Sequence, residues 1–326
     1  MTSTYISQII EQVNQVTCNC GPVLLYGENI DNGSKIAGLA RGLQVNPRGK
    51  ILNVGNSELT HCGVGLGMML DGGNSVLFMK QLDFLLLGLD QIVNTYNFAR
   101  AYRPIDKLGS FTVFPIVCDQ GYQGPQSSLN SAGDVASLSN IAVYCLNACE
   151  DAAAVISEAF VAPGLRIICT SQRLFGMPSL SLPILDRAAD SSIFRFRAGN
   201  DVTIVCFNFA LRLGLQLSEQ LQSSGLSADL FHANFVPGMD CRMVIESCRR
   251  SGRLIVLDDS KTITKYGDLI VRELQARGIH TSVRMATRSG CAVEGYGVGS
   301  DEFQVNFADL ARFSRSPRAA ETRVDG

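Results

Sequence analysis

The sequence predicts two α/β domains, each built on a mainly parallel sheet flanked by helices. Three observations carry that expectation. Strand-like apolar runs alternate with helix-length segments along the chain. The runs are apolar throughout instead of alternating, as in strands covered on both faces. A stretch with two prolines and small polar residues, GMPSLSLPILDRAADSS (176–192), interrupts the series and reads as a linker. With 326 residues the chain can supply two separate cores.

The elements follow in order. Tyr5, Ile6, Ile9, Ile10, Val13 and Val16 recur at helical spacing, so the chain opens on an amphipathic helix. Strands are expected at 23–27, 50–54, 75–79, 111–117, 141–146 and 165–169. Between them IAGLARGL, LTHCGVGLGMML, FLLLGLDQIVNTYNFA and DAAAVISEAF have helical length or periodicity. After the linker a second βα series runs from DVTIVCF to HTSVRMAT. The expected division is a first domain over 1–180, a linker over 181–198, a smaller domain over 199–312, and a flexible tail over 313–326.

Bulk composition excludes several classes. A hydrophobic content of 46% with 18% charged residues describes a globular protein. A net charge of −2 gives no reason to expect nucleic acid or an anionic membrane as partner. The first residues lack the basic and apolar regions of a secretory signal, and no stretch approaches the ~20 apolar residues of a membrane span. Cys145, Cys169 and Cys206 sit in apolar strand runs, and no second cysteine pair completes a zinc set, so no metal site is expected. An odd total of eleven cysteines suits a reducing, cytoplasmic setting.

Candidate chemistry is sparse. Gly63, Gly65 and Gly67 do not complete a phosphate-binding fingerprint and are expected to serve backbone packing. His61 and Cys62 are adjacent on one helix and point ~100° apart, so they cannot easily form a nucleophile pair. His232 and His280 read as surface or strand-boundary residues. Glu58 admits two readings. Asn56 or Ser57 can cap the next helix, and an acid in the first turn favours the helix dipole; the other reading is contact with a cofactor.

From Glu58 to Asn94 the chain resembles the β subunit of thiamine-diphosphate-dependent 2-oxo acid dehydrogenases, of the pyruvate and branched-chain type, and more distantly transketolase. The resemblance rests on the order of an acid (Glu58), a glycine-rich helix (59–70), a strand (75–79), an aromatic (Phe84) and GLDQIVN (88–94). It extends to the linker and to the smaller domain through DVTIV and LDDSKTITKYGDLI. On this resemblance 1–180 is a pyrimidine-binding domain and 199–312 a transketolase C-terminal-like domain.

The resemblance implies roles. Glu58 shares a proton with the pyrimidine N1′ of thiamine diphosphate, which drives the imino tautomer and so lets the cofactor activate its own thiazolium carbon. Phe84 stacks on the pyrimidine, a contact worth ~0.5–1.5 kcal/mol beyond area burial. Leu59, with Val64 and Leu66, lines an apolar setting that keeps a proton available to share. The sequence contains no G-D-G, the family's diphosphate and Mg²⁺ motif. The resemblance therefore implies that an α-type subunit holds Mg²⁺ and the diphosphate, in an α2β2 assembly acting on a 2-oxo acid or ketose. Two departures stand out: Ser127 occupies the place of the family histidine in GPQSSLNS (124–131), and Phe78 replaces an acid. Serine cannot shuttle protons near neutral pH, which weighs against acyl transfer to a lipoyl arm. A non-catalytic regulatory or structural partner is the alternative.

Overall fold

The computed structural model describes residues 3–120, 129–288 and 303–315. They fall into two compact units, one running through Leu182 and the other beginning at Pro183.

The first unit starts with α1 (Tyr5–Asn19), capped by Thr4 and anchored through buried Tyr5, Ile9, Ile10 and Val13. The Tyr5 hydroxyl donates to the Leu146 carbonyl at 2.8 Å. The chain continues through β1 (Val23–Glu28), β2 (Lys50–Val54), α2 (Glu58–Leu70), β3 (Asn74–Met79) and α3 (Tyr96–Tyr102). It closes with β4 (Ser110–Val117), α4 (Ala132–Ser139), β5 (Val143–Cys145), α5 (Cys149–Ala159) and β6 (Gly164–Ser171). These strands form one all-parallel sheet of order β2-β1-β3-β4-β6-β5. Every residue of β4 and β6 is buried, which is why these runs carry no alternation.

The second unit comprises β7 (Asp186–Arg187), β8 (Ile193–Arg197), β9 (Val202–Phe207), α6 (Leu211–Ser223), β10 (Ala228–Ala233) and α7 (Arg242–Ser251). It ends in β11 (Arg253–Asp258), α8 (Gly267–Ala276), β12 (Ser282–Thr287) and α9 (Phe307–Arg315). The sheet order is β12-β11-β9-β10-β8-β7, parallel except that β8 runs against β10 and β7 against β8. Two mainly parallel sheets flanked by helices are therefore the fold that the apolar runs predicted.

Some details differ from the sequence reading. β7 and β8 lie inside the stretch read as a linker. IAGLARGL forms no α-helix: Lys35, Ile36 and Ala37 have positive φ, and Gly38 and Gly42 adopt φ of 99° and 76°, so the apolar spacing is overruled by backbone turns. The segment after β3 is not one helix. It runs as a 3-10 turn (Leu82–Gly88), a π turn (Gln91–Thr95) and then α3. His232 stands one residue from the end of β10, as read, but it is no surface residue: it is fully buried and its ring stacks near Phe194, 6.5 Å between centroids. GYGVGS (295–300) and the tail beyond 315 lie outside the described residues.

The tightest backbone approach in the first unit lies at Gly109. A Cβ there would come within 1.9 Å of the Gly73 carbonyl oxygen and 2.6 Å of the Gly72 carbonyl carbon, all of it backbone. Gly109→Ala is expected to lower stability by about 3 kcal/mol, since no flexible group can yield. The midpoint of urea unfolding measures it.

Candidate functional site

In the first sheet the chain leaves β1 toward β2 on one side and reaches β3 on the other. The carboxyl ends of β1 and β3 therefore flank a topological switch point, where open parallel sheets place ligands. Glu58 opens α2 four residues after β2 ends, and Phe84 sits in the turn that follows β3. Both thus lie at the carboxyl edge of the sheet.

One glycine brings their elements together. A Cβ on Gly88, the last residue of the Phe84 turn, would meet Cys62 Sγ at 2.4 Å and the Glu58 carbonyl oxygen at 3.2 Å. The turn is seated directly on the first turn of α2. Gly65 serves the opposite contact, where a Cβ would enter the Phe111 ring. A Cβ on Gly63 would make only an ordinary contact with Gln91 at 4.0 Å and one on Gly67 would meet open space, so close packing explains only the middle glycine of the three.

Glu58 is half-buried. The Asn56 amide, turned with its nitrogen toward the carboxylate, donates to both oxygens at 3.1 and 3.2 Å. Ser57 is the N-cap by position but makes no side-chain cap bond; its hydroxyl donates to Thr60 Oγ1 at 2.8 Å. Phe84 is half-buried, and its backbone N–H donates to the Gln81 carbonyl at 3.2 Å. Leu66 is buried, but Leu59 and Val64 are 51% and 45% exposed, as are Leu86 (48%) and Leu87 (64%) in the facing turn. The apolar setting expected around Glu58 is present as residues but open on this chain.

Other charged groups gather at the same edge, and the sequence reading missed them. Burial holds the His61 imidazole below its ordinary range, opposed by the charge of Glu58, a backbone hydrogen bond with Gly55 and the charge of Glu28 at the end of β1. Burial pushes the Cys62 thiol up to about 12, with the Glu58 charge adding to it. Cys118 is likewise pushed up to about 12 by burial and by Asp83 and Asp119, against a hydrogen bond from Gln81 and the charge of Lys80. Asp119 accepts from Ser171 Oγ at 2.6 Å and from the Arg173 N–H at 3.0 Å, tying the ends of β4 and β6 together. Asp83 accepts from the Leu129 N–H at 3.0 Å. An acid closing a strand, or two residues beyond it, was the available signal for Glu28 and Asp119.

Among the described residues no three His, Cys, Asp or Glu side chains are grouped to hold a metal ion. No helix among them is long and apolar enough to cross a membrane. Ser127 lies outside the described residues.

With this geometry described, the comparisons can be placed. Residues 194–300 match the family transketolase, C-terminal domain. The chain is 24% identical over 255 residues to the β-1 subunit of the mitochondrial pyruvate dehydrogenase E1 component of Arabidopsis thaliana, covering 73% of this chain and 67% of that protein. It is 22% identical over 238 residues to pyruvate dehydrogenase E1 component subunit β of Rhizobium meliloti, covering 69% of this chain but 50% of the relative. It is 22% identical over 271 residues to the β subunit of acetoin:2,6-dichlorophenolindophenol oxidoreductase of Cupriavidus necator, covering 77% and 78%. Among solved structures, a split-gene transketolase described as an inactive β4 tetramer superposes with a TM-score of 0.70 at 15% identity, covering 95% of this chain and 96% of that one. The resemblance to dehydrogenase β subunits and to the transketolase fold, read from the sequence, holds.

The thiols beside the site give a direct check. At pH 8 a thiol with a pKa of about 12 is ionised in about one molecule in ten thousand. Cys62 and Cys118 are expected to resist iodoacetamide in the native protein while exposed Cys18 reacts. After denaturation all three should react, as read by peptide mass spectrometry.

Proposed function

We propose that this chain, similar over 73% of its length to a β subunit of a pyruvate dehydrogenase E1 component, is the pyrimidine-side half of a heteromeric thiamine-diphosphate enzyme. The observation that carries the reading is the edge around Glu58. A half-buried acid stands at the carboxyl edge of a parallel sheet, and the leucines beside it are exposed on two elements that touch. Apolar side chains rimming a charged group mark a surface that another protein covers.

The residues present fit the pyrimidine half of the cofactor. Glu58 has an amide donor from Asn56 and stands at a helix start, which together fix the direction of its carboxylate. Phe84 offers a half-buried aromatic face on the adjoining turn, and Leu59 an exposed apolar one. Thiamine diphosphate, when bound, supplies the nucleophilic carbon and electron sink for cleaving a bond beside a carbonyl. Glu58 would hold the proton shared with the pyrimidine N1′. Phe84 would lie against the ring and Leu59 would keep water from it. Mg²⁺ prefers oxygen ligands and phosphates, and both it and the diphosphate are assigned to an α-type partner, in an α2β2 assembly. The donor is a 2-oxo acid or a ketose, and the domain roles follow the division near residue 180.

The substitution of Ser127 for the family histidine favours a second reading, a partner that stabilises or regulates without catalysis. Native mass spectrometry of the chain co-expressed with its adjacent gene products, with thiamine diphosphate and Mg²⁺ present, separates the two. A heteromer holding about one cofactor per α/β pair supports the split site. A homo-oligomer that retains neither cofactor nor partner contradicts it. In the active heteromer, Glu58→Gln is expected to lower turnover about 10²–10⁴-fold while unfolding shifts by less than about 0.5 kcal/mol. Full activity in that variant rejects the role of Glu58.

A further inference from the structure

The second unit holds a cavity that the proposed chemistry does not use. It has a volume of about 460 Å³ and lies between the β7–β8 hairpin and α7. That is within the size range of small-molecule sites. Four arginines line it: Arg187, Arg195, Arg242 and Arg250.

The charges of its wall pair unevenly. Asp240 is matched by Arg242, whose Nε lies 2.9 Å from both carboxylate oxygens. Glu246 pairs with Arg249, while Asp186 accepts from the Arg187 backbone N–H at 2.8 Å and the Arg187 guanidinium reaches Ser191 Oγ at 3.4 Å. That leaves Arg195 and Arg250 above a single carboxylate, Asp229, which is fully buried in β10.

Asp229 is already satisfied without Arg250. Arg195 grips it with Nε at 2.7 Å on one oxygen and Nη2 at 3.0 Å on the other. Ser247 Oγ donates at 2.7 Å and is itself bonded to Thr203. A bidentate arginine and a hydroxyl suffice to hold one buried carboxylate. Arg250 adds a further bond at 2.9 Å through Nη2 while remaining 45% exposed. Among the described residues Arg195 Nη1 and Arg250 Nε and Nη1 have no hydrogen-bond partner, and both arginines line the cavity. Two guanidiniums preset by one shared carboxylate, with spare donors, make a receptor for an oxyanion.

We propose that this cavity binds the oxyanion of a small metabolite, a phosphate or carboxylate group, with Arg195 and Arg250 as its donors. The bound group replaces solvent on the spare N–H donors and links α7 to the β7–β8 hairpin. The site lies within one unit and does not depend on the reading of Glu58.

Isothermal titration of the full chain with sodium phosphate and with sodium acetate, each balanced by sodium chloride to constant ionic strength, tests this. Saturable binding of at least one anion is expected, and the tighter of the two identifies the group. Arg250→Gln leaves the Arg195–Asp229 pair intact and should weaken binding at least about tenfold, the loss of one charge-assisted bond. Ala189→Glu puts a negative charge on an exposed position of the cavity wall; it should weaken binding similarly and decides the matter if Arg250→Gln fails to fold. Arg284→Gln, which removes an exposed arginine paired with Asp309 from β12 at the opposite edge of the sheet, should change nothing. Absence of saturable binding by either anion, or unchanged affinity in the folded variants, overturns the site.

Discussion

Gly88 resting on the first turn of α2 is the contact on which the candidate site depends. A side chain there would collide with Cys62 Sγ at 2.4 Å and crowd the Glu58 carbonyl at 3.2 Å. Any larger residue therefore separates the turn bearing Phe84 from the helix opened by Glu58. The irregular path after β3 follows from the same constraint. The chain passes through 3-10 and π geometry before α3 begins, and such irregular turns recur at functional sites. Local regularity is given up so that two side chains distant in sequence share one sheet edge.

Around that edge the buried groups are neutral or paired, as a low-dielectric interior requires. Burial keeps Cys62 and Cys118 protonated. Asp119, 3% exposed, is held by Ser171 and Arg173. In the second unit Asp229 is held by Arg195, Ser247 and Arg250. Glu58 differs from these acids: it is half-buried and has an amide, not a cation, as its neighbour at hydrogen-bond distance. Asp119 and Asp229, by contrast, are buried and each held by several donors, which commits them to structure.

Much of the fold was legible because the strands are buried on both faces and so read as unbroken apolar runs. The helix from Glu58 to Leu70 and the strand ending at Met79 fall where periodicity put them. What failed did so for local reasons. Residues 36–43 have helical spacing, but left-handed backbone at Lys35 through Gly38 and at Gly42 breaks the helix. β7 and β8 escaped notice because they are two and five residues long and lie among prolines and small residues. His232 was misjudged because β10 continues past it to Ala233, so its ring turns into the core. For the site, type and order of residues pointed to Glu58 and Phe84 together. Lys80 and Asp83 could not be found, and the acid closing β1 at Glu28 pointed nowhere without the sheet order that brings strand ends together.

The central claim is that Glu58 shares a proton with the pyrimidine N1′ of thiamine diphosphate. Nitrogen-15 NMR of the cofactor labelled at N1′, bound to the heteromeric complex, reads that proton without requiring turnover. The account predicts a protonated, hydrogen-bonded N1′ resonance in the wild-type complex and a shift to the unprotonated position in Glu58→Gln. An identical N1′ resonance in the two complexes would contradict it and leave Glu58 as the first residue of a helix.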